Sequence, residues 1–234
     1  MARPSGRVRW VASGAVLVIL APGLWAQSKP AMPKFMGREV TTTEAAPSDD
    51  GFYPKGPASV CTEGPPQRQC YTAPKDFGRV PHVEVIQLDK NTPALFFSAA
   101  SGGVSGWAVH LALLRPGMGQ NLENIFPGDL AVSNQCQNVF WNEPAISNAP
   151  IFVTADFVWG PEEAHYSDHR YRISAYVYRY DRELEASEYG LDDEYMTIRK
   201  YSPEDSHILD AEKPEILVRL QRVKAERDRA GKTQ

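Results

Sequence analysis

The side chains best suited to chemistry lie close together in residues 162–170. This segment contains Glu163, His165, Asp168 and His169, whose carboxylate and imidazole groups are ligands for zinc and other divalent ions. One hypothesis is therefore a metal-dependent hydrolase built on these four residues. Apart from such a divalent metal, the sequence predicts no cofactor.

The spacing of the two histidines limits this hypothesis. His165 and His169 would share one face of a helix, but no glutamate directly follows the first histidine as in the zinc-protease motif. On an extended strand they would lie about 13 Å apart, too far to hold one ion. Only a tight loop would bring them together. The alternative is a polar surface loop in which the acidic residues pair with the histidines and Arg170, with little effect on stability.

A second candidate ligand site follows from strict alternation in residues 171–180. Arg172, Tyr176, Tyr178 and Tyr180 fall on one face of the predicted strand. Aromatic rings with polar tips suit a surface that is half apolar and half hydrated. We therefore expect a platform for a sugar or a partner protein, unless the C-terminal helix covers this face and the rings belong to the core.

Other sequence features argue against several kinds of chemistry. The loop at residues 101–106 is glycine-rich, but it lacks the Lys and Ser/Thr of a phosphate-binding loop and leads into Trp107 and a strand, so it predicts a turn. Its serines lack the Gly-x-Ser-x-Gly context of a hydrolase nucleophile. No Cys-x-x-Cys is present, which removes the usual basis for a thioredoxin-type role.

The elements that must position these residues are mostly strands. Runs of β-branched and aromatic residues separated by Gly, Pro and Asn predict strands at 83–88, 94–100, 105–114, 132–141, 151–159, 171–180 and 195–201. From Pro214 onward, Ile216, Leu217, Leu220 and Val223 form an apolar stripe at helical spacing. The predicted fold is mainly β (α+β), an antiparallel β-sandwich or curved sheet with a C-terminal amphipathic helix.

The first residues have the order of parts of a signal peptide. Three arginines precede an apolar run at 10–20, and Ala26 offers a small residue for cleavage before Gln27. A retained anchor is the alternative, but the run falls short of the roughly 20 residues that span a membrane. We expect a signal peptide at 1–26, a flexible linker at 27–57 and one β-rich domain at 58–234. The mature protein would be periplasmic or secreted, with no stable membrane span.

Cysteines and charge narrow the function. In an oxidising compartment, Cys61 and Cys70, which flank a proline-rich loop, predict a disulfide and leave Cys136 free; the alternative is that all three are unpaired. The net charge of −4 argues against nucleic-acid binding. The leading hypothesis is an exported, non-enzymatic binding or interaction domain for an envelope or extracellular protein or glycan. The alternatives are the metal-dependent hydrolase and a structural envelope component.

Overall fold

The computed structural model of the chain describes residues 33–103, 106–164, 166–181 and 185–230. The predicted signal peptide and His165 lie outside the described residues. Within them the fold is mainly β, with three antiparallel sheets and a C-terminal helix, which confirms the predicted fold class. The sheets are stacked, because apolar side chains of sheet 2 pack against sheet 1 on one face and against sheet 3 on the other.

Sheet 1 forms one outer layer of the stack. It contains β1 (Lys34–Phe35), β2 (Arg38–Thr43), β3 (Ser59–Glu63) and β4 (Gln69–Thr72) in that order. Cys61 and Cys70 lie directly opposite each other on β3 and β4 and form the predicted disulfide, while Cys136 is free. Residues 33–57 do not form the expected linker, since they supply β1 and β2, anchored by the buried rings and methyls of Phe35 and Val40.

Sheet 2 is the middle layer and is covered on both faces. It contains β5 (Arg79–Gln87), β6 (Pro93–Ala100), β7 (Ala108–Pro116), β8 (Leu122–Asn124) and β9 (Ala131–Ser133), with β8 and β9 both paired to β7. Along β6, Leu95 and Phe97 face sheet 1, whereas Phe96 faces sheet 3. Two covered faces explain why this strand is an almost continuous apolar run. The hairpin of β6 and β7 is as predicted.

Sheet 3 packs between sheet 2 and the helix. It contains β10 (Gln137–Trp141), β11 (Ile151–Val158), β12 (Arg170–Asp181) and β13 (Ala186–Met196) in that order. On β12, Ile173 and Ala175 face the helix, and Tyr176 faces sheet 2. The alternation predicted for this strand is therefore confirmed, with both of its faces buried at the centre.

Two strand predictions are wrong in their boundaries. The run 132–141 is divided between β9 and β10, which belong to different sheets, because the chain turns where the Cys136 N–H donates to the Ser133 carbonyl. Of the run 195–201, only Tyr195 and Met196 belong to a strand, as the last two residues of β13. The partner of β12 is the more acidic stretch Ala186–Met196, and beyond it Tyr201 forms only an isolated bridge with His169.

The C-terminal helix α1 (Ile208–Ala230) begins before the predicted start at Pro214. Its first turn is fixed by capping, because Asp205 accepts the His207 N–H and Gln137 accepts the Ile208 N–H. Three of the four residues of the predicted apolar stripe, Ile216, Leu217 and Leu220, pack on sheet 3, with Ile216 fully buried. In the described part of the chain, no helix is both long and apolar enough to cross a membrane.

Candidate functional site

A cleft opens where the β6–β7 hairpin of sheet 2 meets the end of β11 in sheet 3. Its volume is about 510 Å³, within the range typical of ligand sites. We call it the aromatic cleft, because four aromatic residues, Tyr53, Trp107, Phe157 and Trp159, line it beside a group of polar ones. Its lining includes Tyr53, Trp107, Trp159, Ser133, Asn134, Gln135 and Asp156.

Three of the four aromatic side chains that line the cleft are exposed to water. Tyr53, Trp107 and Trp159 are 54%, 43% and 46% exposed. The backbone of Trp107 is held in place, because the Asn134 N–H donates to the Trp107 carbonyl at 2.9 Å. Large rings held in place and left half open to water are typical of a surface that binds a partner.

Gly102 explains how Tyr53 reaches the cleft. Its φ of +83° lies in the left-handed region, and a Cβ at this position would lie 2.4 Å from the carbonyl oxygen of Phe52. Only glycine therefore allows the loop between β2 and β3 to approach the β6–β7 hairpin so closely. That approach places Tyr53 beside the residues of the hairpin that line the cleft.

The polar side of the cleft is organised by Asp156. Its Oδ1 accepts a hydrogen bond from the Ser133 N–H at 3.1 Å and another from the Ser133 hydroxyl. Arg172 Nη2 lies 3.7 Å from Oδ2. Because Ser133 is on β9 and Asp156 on β11, these bonds join sheets 2 and 3 at the cleft.

Gln135 presents an unused hydrogen-bonding atom in the same cleft. Its Oε1 is buried and has no partner among the described residues. A buried acceptor without a donor is costly, and most such groups in native proteins are satisfied by water or a ligand. Because Gln135 lines the cleft, a turn of its side chain would bring this oxygen to a ligand hydroxyl or amide.

Two of the residues predicted as metal ligands do come together. His169 Nδ1 lies 2.8 Å from Glu163 Oε2, and His169 is completely buried. Glu163 also accepts bonds from Lys200 Nζ at 2.7 Å and from the Gly160 N–H at 2.7 Å. The hydrogen bond from Lys200, followed by those from His169 and Gly160, lowers the pKa of Glu163 to about 2.

The structure describes only one of the other two predicted ligands. Asp168 lies at the surface, and His165 is outside the described residues. Within the described ranges, no three His, Cys, Asp or Glu side chains are grouped closely enough to hold an ion. The geometry instead connects His169 to the aromatic cleft, since its ring packs against Phe157 at 5.3 Å and Trp159 at 5.2 Å. Glu163 thus orients a histidine that supports Trp159.

The predicted tyrosine platform is not one exposed surface. Tyr176 is 7% exposed and packs on Phe152, and Tyr178 packs on Tyr189. Only Tyr180 and the Arg172 side chain are substantially exposed. Sheet 2, rather than the helix, covers this face of β12.

The chain matches no known protein family, no curated protein and no solved structure. A fold alone does not define a function, so the chemistry of the aromatic cleft is the best guide to the function of this protein. Sequence reasoning missed this cleft because its lining comes from four separate segments of the chain. The usable signal was two tryptophans, Trp107 and Trp159, each beside a glycine at the end of a predicted strand.

Three other reactive side chains, those of His110, Tyr71 and Cys136, have structural roles. His110 is fully buried, and Tyr71 Oη lies 2.8 Å from its Nε2. Burial lowers the pKa of His110 and raises the pKa of Tyr71 to about 12, so both stay neutral near pH 7. Cys136 donates its S–H to the Gln137 carbonyl, and burial together with the nearby Asp156 carboxylate raises its pKa.

Proposed function

We propose that the protein is an exported, non-enzymatic binding domain whose aromatic cleft binds a glycan. The observation that carries the proposal is the cleft itself, in which three half-exposed aromatic rings line the same space as a carboxylate, two amides and two hydroxyls. Export is supported by the arginine-led apolar leader of the sequence and by the Cys61–Cys70 disulfide, which persists in oxidising compartments.

A sugar ring matches both kinds of surface in the cleft. Its C–H face is apolar and packs on an aromatic ring, while its hydroxyls donate and accept hydrogen bonds in the plane of the ring. Trp107 and Trp159 supply the rings, and Gln135 supplies a buried acceptor that has no donor within the described structure. A turn of the Gln135 side chain would bring that acceptor to a bound hydroxyl, and the sugar would cover the indoles.

Binding without catalysis is supported by the carboxylates. Glycoside hydrolysis uses a pair of acidic residues on either side of the bond that is cleaved. Asp156 is the one carboxylate among the described residues that line the cleft, and its Oδ1 is already occupied by the two donors of Ser133. Its role is therefore to hold the polar side of the cleft in place.

The metal-dependent hydrolase remains an alternative hypothesis with weaker support. Glu163 and His169 are in contact, but both oxygens of Glu163 already accept bonds from other groups. Metal analysis of protein purified without chelators, beside His169→Ala, tests this reading. A stoichiometric ion that the variant loses would favour the hydrolase over the binding domain.

The direct test is a glycan array of envelope and extracellular polysaccharides, followed by titration calorimetry on any hit. Trp107→Ala and Trp159→Ala should each weaken binding by about tenfold or more, since a central aromatic contact is worth about 1.4 kcal/mol or more. Tyr180→Ala is the control, because Tyr180 is 61% exposed but lies outside the cleft. If the wild-type protein bound no glycan on the array, or if both tryptophan variants bound as tightly as the wild type, the proposal would be wrong.

A further inference from the structure

A second pocket adjoins the aromatic cleft. Its volume is about 500 Å³, and it shares Trp107 and Gly102 with the cleft. We call it the apolar pocket, because Val80, Ala100 and Val109 line it beside the indole. Its lining also includes Arg79, His82, Ser98 and Gly103.

Val80 in the apolar pocket combines strain with exposure. Its φ is +45°, a left-handed conformation that is rare for a β-branched residue and costs of order 1–3 kcal/mol. It lies at a bulge in β5, where the register shifts between Arg79 and His82, and its N–H is held by Glu44 Oε1 at 3.1 Å. Bulges redirect side chains and are common next to functional sites.

Most of the Val80 side chain faces water in the free protein. It is 69% exposed, although the fold maintains a strained backbone to place it there. A bound ligand that covers the Val80 side chain would explain why the fold keeps a strained backbone that exposes an apolar group. The pocket therefore favours an apolar occupant.

The chemistry of the lining supports a hydrocarbon chain. The Arg79 guanidinium donates to the carbonyls of Gly51 and Phe52, at 3.4 and 3.5 Å. Part of its hydrogen-bonding capacity is therefore already used within the protein. The lining residues come from β5, β6 and β7, so the pocket lies across a face of sheet 2, where backbone groups point along the sheet and not out of it. A peptide strand would find few backbone partners here, whereas a chain of methylenes needs none.

We propose that the ligand is an amphiphilic saccharide, with its sugar in the aromatic cleft and a covalently attached alkyl or acyl chain in the apolar pocket. This inference rests on the proposed function. Trp107 lines both spaces, so a short linkage past that one indole joins a sugar on one side to a chain on the other. The chemical class is a glycolipid or another acylated glycan.

The test compares methyl, hexyl and octyl glycosides of glucose, galactose, mannose and N-acetylglucosamine, below their micellar concentrations, by titration calorimetry on the full mature chain. Octanol is included as a chain without a sugar. Each methylene that is fully buried should tighten binding about fourfold, so octyl glycosides should bind at least about tenfold more tightly than methyl glycosides. Octanol should bind much more weakly than the octyl glycoside.

Val80→Gly separates a ligand contact from a structural role. Glycine adopts the positive φ without strain, so the variant should fold with an unchanged or higher unfolding temperature. It should weaken octyl glycosides several-fold and leave methyl glycosides unchanged. Trp107→Ala should weaken both. Ile198→Ala is the matched control, because Ile198 is 94% exposed and lines neither space.

Each outcome decides between the two proposals. Equal affinity for methyl and octyl glycosides, or a chain-length effect that survives Val80→Gly, would overturn the amphiphile and leave the glycan site. Octanol binding as tightly as the octyl glycoside would remove the sugar, and with it both proposals. No binding of any of the glycosides would also overturn both.

Discussion

Asp156 should hold the two sheets together at the aromatic cleft, and Asp156→Ala tests this. The substitution leaves the Ser133 N–H and hydroxyl without their acceptor. An unsatisfied buried donor costs about 1–3 kcal/mol, but Ser133 is only half-buried and its hydroxyl can turn towards water. The long contact to Arg172 is exposed and worth less than about 1 kcal/mol.

The expected loss for Asp156→Ala is therefore about 2–3 kcal/mol in the free energy of unfolding. For a chain of this length it corresponds to a fall of roughly 4–12 °C in the unfolding temperature. Asp156→Asn keeps an oxygen that can accept both bonds and loses only the charge, so its loss should be about 1 kcal/mol. Urea denaturation followed by tryptophan fluorescence measures both variants.

Comparing the two variants separates the effect of the Asp156 charge from the effect of its hydrogen bonds. If Asp156→Asn were as unstable as Asp156→Ala, charge rather than hydrogen bonding would fix the cleft. If Asp156→Ala unfolded within 0.5 kcal/mol of the wild type, a threshold of about the size of a neutral surface substitution, the bonds between sheets 2 and 3 would not stabilise the fold. Arg172→Ala is the control and should change stability by less than about 1 kcal/mol.

Three further predictions concern other parts of the chain. Replacing Cys61 and Cys70 together by serine should lower the free energy of unfolding by about 2.5 kcal/mol, the loop-entropy value for their separation of 9 residues, and reductant should reproduce the loss in the wild type. Cys136 should react slowly with iodoacetamide at pH 8 in the folded protein and quickly in urea, because burial raises its pKa. The pKa of Glu163 is lowered to about 2 by folding, against about 4.3 in an unfolded chain, so the stability it contributes is complete above about pH 4.5 and is lost as the pH falls towards 2.

Denaturation at several pH values checks the last of these, because Glu163→Gln should flatten the dependence between pH 4.5 and about 2. An identical slope in wild type and variant would mean that Glu163 titrates alike in both states. Rapid labelling of Cys136 in the native protein, or full stability of the double serine variant, would contradict the other two.

The strands with regular alternation could be predicted from the sequence, because their periodicity is set locally. β12 and the β6–β7 hairpin are examples. β13 was missed because Gly190, Asp192 and Asp193 disfavour strands, and their compensation is tertiary: Arg219 pairs with Asp193 at 2.6 Å from the helix. The strand propensity of the segment gives no indication that Arg219 will pair with Asp193.

The site was less predictable than the fold. Residues close in sequence, such as Glu163 and His169, were recognised as a group, but their contact supports Trp159 rather than forming a described metal centre. The aromatic cleft joins Tyr53 to residues more than 50 positions away, and long-range packing of this kind leaves no local pattern. Only the exposure of the rings in the folded chain reveals it.

The helix has a further role at the border of sheet 3. β13 is an outer strand of 11 residues, and a bare strand of that length offers a template on which other copies can polymerise. Arg219 and Arg227 reach from the helix to Asp193 and Asp192 at 2.6 and 2.7 Å, and both carboxylates are largely buried, so paired charges are fixed along this border. Chains that lost the end of the helix would therefore be expected to precipitate before they unfolded.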